Sequence, residues 1–156
     1  SYYFTSATLV ALGLHAIYYF RTALDIRYVI FLALATLGAD TFAYFVGRAI
    51  GKHKLNPRLS PKKTIEGSIG GIVCGGLLGL AYAYCVKIPY ALPHLALMSF
   101  VLATTGQIGD LTFSSIKRTF EVKDYSQIFP GHGGVLDRFD SIIFNSMILG
   151  FLLTLL

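Results

Sequence analysis

Residues 114–141 read SSIKRTFEVKDYSQIFPGHGGVLDRFDS, and this stretch places charge and glycine between segments that are apolar enough to sit in lipid. Ionisable groups are expensive near hydrocarbon, so a dense set of them at the mouth of transmembrane helices predicts a functional site at a membrane boundary. The whole chain is 54% hydrophobic and only 13% charged, which exceeds the apolar content of an ordinary soluble domain. We therefore predict an integral membrane protein.

Five apolar segments extend through the chain, roughly Tyr2–Phe20, Tyr28–Val46, Ile69–Val86, Leu95–Gly109 and Ile142–Leu156. Each is near the length that crosses about 30 Å of hydrocarbon as a helix, and the fourth and fifth are short enough to need tilting or burial in the bundle. We predict an all-α, polytopic bundle of about five transmembrane helices, forming a single membrane-embedded domain over residues 1–156. Because the chain enters apolar sequence at once and lacks an initial methionine, we expect it to be the C-terminal portion of a longer protein.

The basic residues predict the orientation. The loops on one side hold Arg48, Lys52, Lys54, Arg58, Lys62 and Lys63, then Lys117, Arg118, Lys123 and Arg138. The loops on the other side hold only Arg21, Arg27 and Lys87, so the positive-inside rule places both long basic loops in the cytoplasm. A basic face and a net charge of +5 favour membrane lipids and polyphosphates as partners, and we expect no nucleic acid. The alternative is that these charges only set the topology.

The first basic loop reads GRAIGKHKLNPRLSPKKTIEGSIGG over residues 47–71. Lysines, hydroxyls and flexible glycines bind phosphate as point charges, hydrogen-bond donors and backbone amides. The candidate phosphate-binding residues are Ser60, Lys62, Lys63 and Thr64. The spacing of a Walker loop is absent, so composition alone leaves phosphate binding open.

Acidic residues are scarce, since the chain has only eight. Asp110 ends the fourth apolar segment and Asp137 precedes the fifth, so both can face one cavity and share a metal. Hard oxygen ligands without a cluster of His and Cys favour Mg²⁺ over zinc. Alternatively, these carboxylates pair with basic residues inside the bundle, namely Lys117, Arg118 or Arg138. Asp40, within the second segment, is either structural or part of the pocket.

At these residues the chain resembles a known family. The signature of the phosphatidate cytidylyltransferases, or CDP-diacylglycerol synthases, matches at every spacing the residues Ser114, Lys117, Arg118, Lys123, Asp124, Ser126, Pro130, His132, Gly133, Gly134, Asp137, Arg138 and Asp140. The resemblance also includes Asp40-Thr41-x-Ala43-Tyr44, Gly47-Arg48, Gly51-Lys52 and the run from Ser60 to Gly67, so that it covers roughly Leu37 to Ser146. A match of more than twenty positions with fixed elements is far more specific than a short glycine motif.

The resemblance implies the reaction of CTP with phosphatidic acid to give CDP-diacylglycerol and pyrophosphate, with Mg²⁺ and a second cation such as K⁺. It further implies a multi-pass protein of the bacterial inner membrane with its active site on the cytoplasmic side, and it leaves a homodimer open.

The resemblance also implies roles for individual residues. Asp110 and Asp137 are expected to bind the metal, with Asp140 assisting. Lys117, Arg118 and Arg138 are expected to hold phosphate oxygens, opposite a wall formed by the hydroxyls and lysines of the first loop. The remaining expected substrate-binding residues are Lys123, Asp124, His132, Gly133 and Gly134.

Two other functions are weighed against this one. A polyprenol kinase or an archaeal CDP-lipid synthase (CDP-archaeol synthase) would use a similar cytidine site with another acceptor lipid. A non-enzymatic transporter would line an ion path with intramembrane charges. The transporter is disfavoured because no second half with matching broken helices is visible and the charges gather on one face.

Overall fold

The computed structural model describes residues 2–56, 60–119 and 136–156, with the backbone alone for residues 2–6, 61–62, 117–119 and 136–138. Its helices are α1 (Tyr2–Tyr19), α2 (Ile26–Ile50), α3 (Ile65–Cys85), α4 (Leu92–Thr119) and α5 (Leu136–Leu155), with a π-helical turn, Phe20–Leu24, after α1. Strands β1 (Lys54–Asn56) and β2 (Ser60–Thr64) form an antiparallel hairpin between α2 and α3. The predicted all-α bundle is therefore confirmed, and the hairpin is an element that the sequence did not reveal.

Three helical segments of the described residues are long and apolar enough to cross a membrane: Ala7–Leu24, Ile26–Ile50 and Ile65–Cys85. The apolar part of α5, Phe139–Leu155, is shorter, as expected. Large hydrophobic side chains such as Ile69, Leu77 and Phe151 are exposed on the outside of the bundle. This outward apolar surface is what lipid tails solvate, so the protein is a helical membrane protein.

Helix α4 is longer than predicted. The sequence indicated a span ending at Gly109, whereas the helix continues to Thr119 and has 28 residues. The hydroxyls of Thr104 and Thr112 donate to the carbonyl oxygens of Phe100 and Ile108, each at 2.8 Å, and so satisfy their own polarity within the helix. A hydropathy pattern therefore underestimates this helix, and the Ser114–Thr119 part of the predicted loop is helical.

Helices α2 and α3 pack through a stripe of small residues. On α3 the glycines at positions 67, 71, 75 and 79 recur every fourth residue and are all buried. A Cβ added to Gly75 would lie 2.5 Å from the backbone nitrogen of Ala39 on α2. Because lipid tails are as apolar as the helices, close backbone approach of this kind is a main source of association in a membrane.

A buried polar cluster fastens α5 to α2 and α4. The side chain of Asn145 is fully buried, and its amide nitrogen donates to the Thr36 hydroxyl at 2.8 Å and to the Leu102 carbonyl at 2.6 Å. The Thr105 hydroxyl lies 2.6 Å from the amide oxygen of Asn145 and donates to it. Such a fully satisfied network fixes the rotation and depth of α5 in the bundle.

The two ends of the bundle differ in chemistry. At one end, Arg27 pairs with Asp25 at 3.2 Å and donates to the carbonyl of Val86 at 3.0 Å, so that the short α1–α2 and α3–α4 connections lie together. At the other end, α2 and α4 finish while α3 and α5 begin. We call this second end the site end, because the candidate site lies there.

The packing predicts that substitution by alanine lowers the free energy of unfolding more at Gly75 than at Gly150. Gly75→Ala should lower the free energy of unfolding by about 1–3 kcal/mol, because its Cβ meets backbone atoms that cannot rotate away. Gly150→Ala on α5 is the control, since its Cβ would lie 3.7 Å from the Phe20 ring, an ordinary contact. Thermal unfolding in detergent micelles measures both. Equal melting temperatures for the two variants would contradict the packing account.

Candidate functional site

A cavity of about 700 Å³ opens at the site end of the bundle. It collects residues from α2, the hairpin, α3, α4 and α5. Its lining comprises Asp40, Ala43, Tyr44, Gly47, Arg48, Gly51, Lys54, Ser60, Lys63, Thr64, Ser68, Asp110, Asp140 and Ser141. About 15 Å of helix separate Asp40 from the end of α2 at Ile50, so the cavity reaches well into the bundle.

Three carboxylates from three helices converge on this cavity. Asp40 belongs to α2, Asp110 to α4 and Asp140 to α5. The Asp140 side chain is buried, and its Oδ1 accepts from the Ser141 backbone N–H at 2.7 Å. The Ser141 hydroxyl donates to Asp40 Oδ2 at 3.2 Å, which ties α5 to α2 one helical turn from the Asn145 cluster. Carboxylates gathered at this depth require a cation or strong hydrogen bonds.

Among the described side chains, Lys63 supplies the cation inside the cavity. It lies on β2, and its ammonium forms an ion pair with Asp110 Oδ2. The ammonium nitrogen is shielded from solvent although the side chain as a whole is partly exposed. Asp40 lies within electrostatic range of both Lys63 and Asp110, so the three charges belong to one site.

The cavity mouth carries two further basic side chains, Arg48 and Lys54, and both are exposed. The Arg48 guanidinium lies 3.4 Å from the Tyr44 hydroxyl, one turn earlier on α2, to which it donates. Tyr44 is 59% exposed. An amphipathic aromatic beside arginine is typical of the level where lipid headgroups lie.

The hairpin is anchored at its base by Glu66, in the first turn of α3. The Glu66 carboxylate accepts from the backbone N–H groups of Lys52 at 3.1 Å and His53 at 3.3 Å, and it lies 2.6 Å from His53 Nδ1. The Thr64 hydroxyl caps α3 by accepting from the Gly67 N–H at 3.2 Å. These bonds fix where β2 runs, and β2 carries Lys63 into the cavity.

Gly51 allows the hairpin to approach α2 this closely. A Cβ at Gly51 would lie 2.6 Å from the Thr64 hydroxyl oxygen and would also overlap the Gly47 carbonyl. Glycines in the first basic loop were predicted to serve ligand binding through flexibility. At Gly51 the structure assigns a different reason, which is space for the turn.

The structure brings together five of the predicted site residues: Ser60, Lys63, Thr64, Asp110 and Asp140 all line the cavity. The alternative interpretation paired carboxylates such as Asp110 with Lys117, Arg118 or Arg138, whose side chains are not described. The structure instead pairs Asp110 with Lys63, from the first basic loop.

The other predicted site residues are placed only in part. Five have a described backbone but no described side chain: Lys62 on β2, Lys117 and Arg118 on α4, and Asp137 and Arg138 on α5. The remainder, Lys123, Asp124, His132, Gly133 and Gly134, lie outside the described residues. The predicted Asp110 and Asp137 metal pair therefore stays a prediction.

Sequence reasoning left Asp40 open. It named Tyr44 only within the family resemblance, Arg48 there and as a basic loop residue, and Lys54 only as a basic loop residue. It did not name Ser141 as a site residue. For the lining residues on and next to α2, the sequence did contain a signal. Asp40, Tyr44, Gly47, Arg48 and Gly51 follow the spacing of one helical face. A polar face on an otherwise apolar helix predicts a side that is turned away from lipid.

The donor set is suited to a hard cation. Asp110 and Asp140 present carboxylate oxygens to a cavity large enough for a phosphate-bearing ligand. Within residues 2–56, 60–119 and 136–156, no group of three or more His, Cys, Asp or Glu side chains is arranged to hold a metal. Mg²⁺ is usually held by one or two carboxylates together with substrate phosphates, so one or two of these aspartates fit its needs.

Comparison with known proteins defines the class. A model of the cytidylyltransferase family matches residues 1–156, so the chain belongs to this family.

Among similar proteins are enzymes named phosphatidate cytidylyltransferase. That of Staphylococcus epidermidis is 44% identical over 151 residues, covering 96% of this chain and 58% of the relative. That of Bacillus subtilis is 43% identical over 130 residues, covering 83% of this chain and 48% of the relative. That of Staphylococcus aureus is 40% identical over 151 residues, with the same coverage as the first. The family resemblance of the sequence is confirmed, and the chain spans less than two thirds of the length of these relatives.

The anchoring by Glu66 predicts a change in protease sensitivity. Glu66→Gln should expose the hairpin to trypsin, because the amide is a weaker acceptor for the Lys52 and His53 N–H groups. We expect cleavage after Lys52 or Lys54 to become severalfold faster, measured by mass spectrometry of timed digests. Asp25→Asn, at the opposite end, is the control and should leave hairpin cleavage unchanged. If Glu66→Gln is cleaved at the wild-type rate, the carboxylate does not hold the hairpin.

Proposed function

We propose that this chain carries the catalytic centre of a phosphatidate cytidylyltransferase, which transfers a cytidylyl group from CTP to phosphatidic acid and releases pyrophosphate. One observation supports this most directly. In a member of the cytidylyltransferase family, three aspartates and Lys63 converge with the Ser60 and Thr64 hydroxyls on one cavity. Carboxylates for a metal and a basic, hydroxyl-rich wall for phosphate are the two parts that such a transfer needs.

The chemistry requires no protein nucleophile. A phosphate oxygen of phosphatidate attacks the α-phosphorus of CTP and forms the new P–O bond. The bond from that phosphorus to the oxygen bridging the α- and β-phosphates breaks, and pyrophosphate leaves with the electron pair. The protein contributes by holding two polyanions in line and by neutralising the charge that develops between them.

Asp110 and Asp137 would hold Mg²⁺, with Asp140 assisting either directly or through a hydrogen bond. The ion supplies charge neutralisation at the phosphate oxygens when it is bound. A second cation such as K⁺ belongs to the same proposal.

The phosphate oxygens are assigned to basic and hydroxyl groups on facing walls. Ser60, Lys63 and Thr64 act from the hairpin, where Thr64 is held by its capping bond to Gly67. We add Lys62 to this wall. We assign Lys117, Arg118 and Arg138 to the wall that faces it. The glycine-rich loop completes the set with Lys123, Asp124, His132, Gly133 and Gly134.

The lipid substrate would enter sideways from the bilayer. Arg48 and Tyr44 at the cavity mouth suit the headgroup level, and Phe45 beside them is 60% exposed, as a lipid-facing residue would be. The excess of basic residues at the site end supports a cytoplasmic active site in a multi-pass protein of a bacterial inner membrane. Residues 1–156 would then form one catalytic domain, either alone or as a homodimer.

The proposal predicts a complete dependence on Asp110. Asp110→Asn should reduce turnover by at least about a hundredfold, because it removes a charge from the cation site. The assay is release of pyrophosphate in phosphatidate-containing micelles with CTP, together with the mass of the lipid product. Asp137→Asn should behave alike, and Asp25→Asn at the opposite end should retain activity. Near-normal turnover by Asp110→Asn would contradict the assignment.

Metal removal is the complementary test. Release of pyrophosphate should stop when Mg²⁺ is chelated and return when Mg²⁺ is restored, and it should require phosphatidate. Product formed from another lipid acceptor, with none from phosphatidate, would instead support a polyprenol kinase or a CDP-archaeol synthase.

A further inference from the structure

Lys63 occupies an unusual position for a residue expected to bind substrate phosphate. Its ammonium is not directed to the open part of the cavity but forms an ion pair with Asp110. The nitrogen is shielded from solvent, whereas Arg48 and Lys54, the other basic side chains described at the cavity, are exposed. Among the residues whose side chains are described, Lys63 is therefore the basic group that compensates the negative charge of the carboxylates inside the cavity.

This compensation has a clear physical purpose. Asp40 and Asp110 interact electrostatically with Lys63 and with each other, and Asp140 lies on the same cavity. Without a cation, like charges at this depth would repel one another and would be costly to keep ionised. One ammonium held against Asp110 makes the carboxylates tolerable before any ligand binds.

The same contact obstructs a metal. The ammonium lies against Oδ2 of Asp110, and a divalent cation on that oxygen could not share the position with it without strong repulsion. Lysine can leave, since its charge sits on a flexible four-carbon stem with no fixed fork geometry. The cavity of about 700 Å³ beside it provides room for the displaced ammonium and for a phosphate to receive it.

We propose that Lys63 is an internal counter-ion that holds the place of the divalent cation at Asp110 and exchanges with it, moving to a substrate phosphate when the metal binds. This inference rests on the proposed function, because it takes Asp110 as a metal ligand. The exchange couples the two ligands: the metal displaces the ammonium, and the phosphate stabilises it in its new position. Lys63 thereby disfavours a site that contains metal but no nucleotide.

The exchange predicts that loss of the Lys63 charge raises the affinity for a divalent cation in the absence of nucleotide. Removing a positively charged side chain should weaken the binding of an anionic substrate, but it should strengthen the binding of a metal cation that competes with that side chain for Asp110. Lys63→Met should therefore bind Mn²⁺ more tightly in the absence of nucleotide, by roughly tenfold, since the competing cation is gone. The measurement is Mn²⁺ binding by electron paramagnetic resonance on the purified protein in detergent micelles.

Two variants separate this effect from a general change in charge. Lys54→Met removes a positive charge at the mouth of the same cavity, and its Mn²⁺ affinity should stay within about twofold of wild type because exposed charges are screened. Lys63→Arg keeps the charge and should stay near the wild-type affinity. If Lys63→Met binds Mn²⁺ with the wild-type affinity, the exchange is wrong. If it binds Mn²⁺ more weakly, the exchange is also wrong and Lys63 instead orients Asp110 for the metal.

A measurement on the unaltered protein covers the case in which Lys63→Met does not fold. Acetylation of lysines by a small amine-reactive reagent, followed by mass spectrometry, reports how accessible each ammonium is. Adding Mg²⁺ alone should increase the modification of Lys63 severalfold and leave Lys87, at the opposite end, unchanged. A Lys63 modification that does not change as Mg²⁺ saturates would overturn the proposal.

These readouts also separate the inference from the proposed function. If the protein forms CDP-diacylglycerol while Mg²⁺ leaves Lys63 protected, the exchange is refuted and the enzymatic function stands. If another lipid acceptor gives product and phosphatidate gives none while Lys63 is released by Mg²⁺, the exchange is supported and the assigned reaction is refuted.

Discussion

The ion pair between Lys63 and Asp110 joins a hairpin outside the helices to a carboxylate well inside the bundle. A lysine and an aspartate are both costly near hydrocarbon, and each becomes tolerable through the other. The hairpin must therefore lie close enough to the bundle for Lys63 to reach Asp110 on α4, and the turn at Gly51 and the Glu66 anchor hold it against α2 and α3. The electrostatic requirement of the cavity thus explains why the hairpin lies close against the helices.

Two polar contacts between α2 and α5, one helical turn apart, support this cavity. Thr36 contacts Asn145 in the first, and Asp40 contacts Ser141 in the second, which lies one turn nearer the site end. The glycine stripe of α3 holds the same α2 helix from another side. The wall that carries Asp40 is therefore braced in depth and rotation, as a site that binds polyanions in a fixed geometry requires.

Much of this arrangement could be predicted from the sequence. Apolar segments and the distribution of basic residues predicted a helical bundle with its charges at one end, and the Lys-Arg to Asp-Arg-x-Asp signature indicated the family. The hairpin could not be predicted, because residues 54–64 have few of the alternating apolar positions that mark strands. The extension of α4 was missed because its hydroxyls are satisfied within the helix, which hydropathy does not register. The partner of Asp110 was also missed, since pairing between distant segments depends on the packing of three helices.

The most direct test of the account is to locate a divalent cation in the protein by the anomalous scattering of Mn²⁺ in crystals grown with CTP. The account predicts a peak at coordination distance, about 2.1 Å, from an Asp110 oxygen, with the Lys63 ammonium moved onto a phosphate of the nucleotide. A peak elsewhere in the protein, with Lys63 still paired to Asp110, would contradict it.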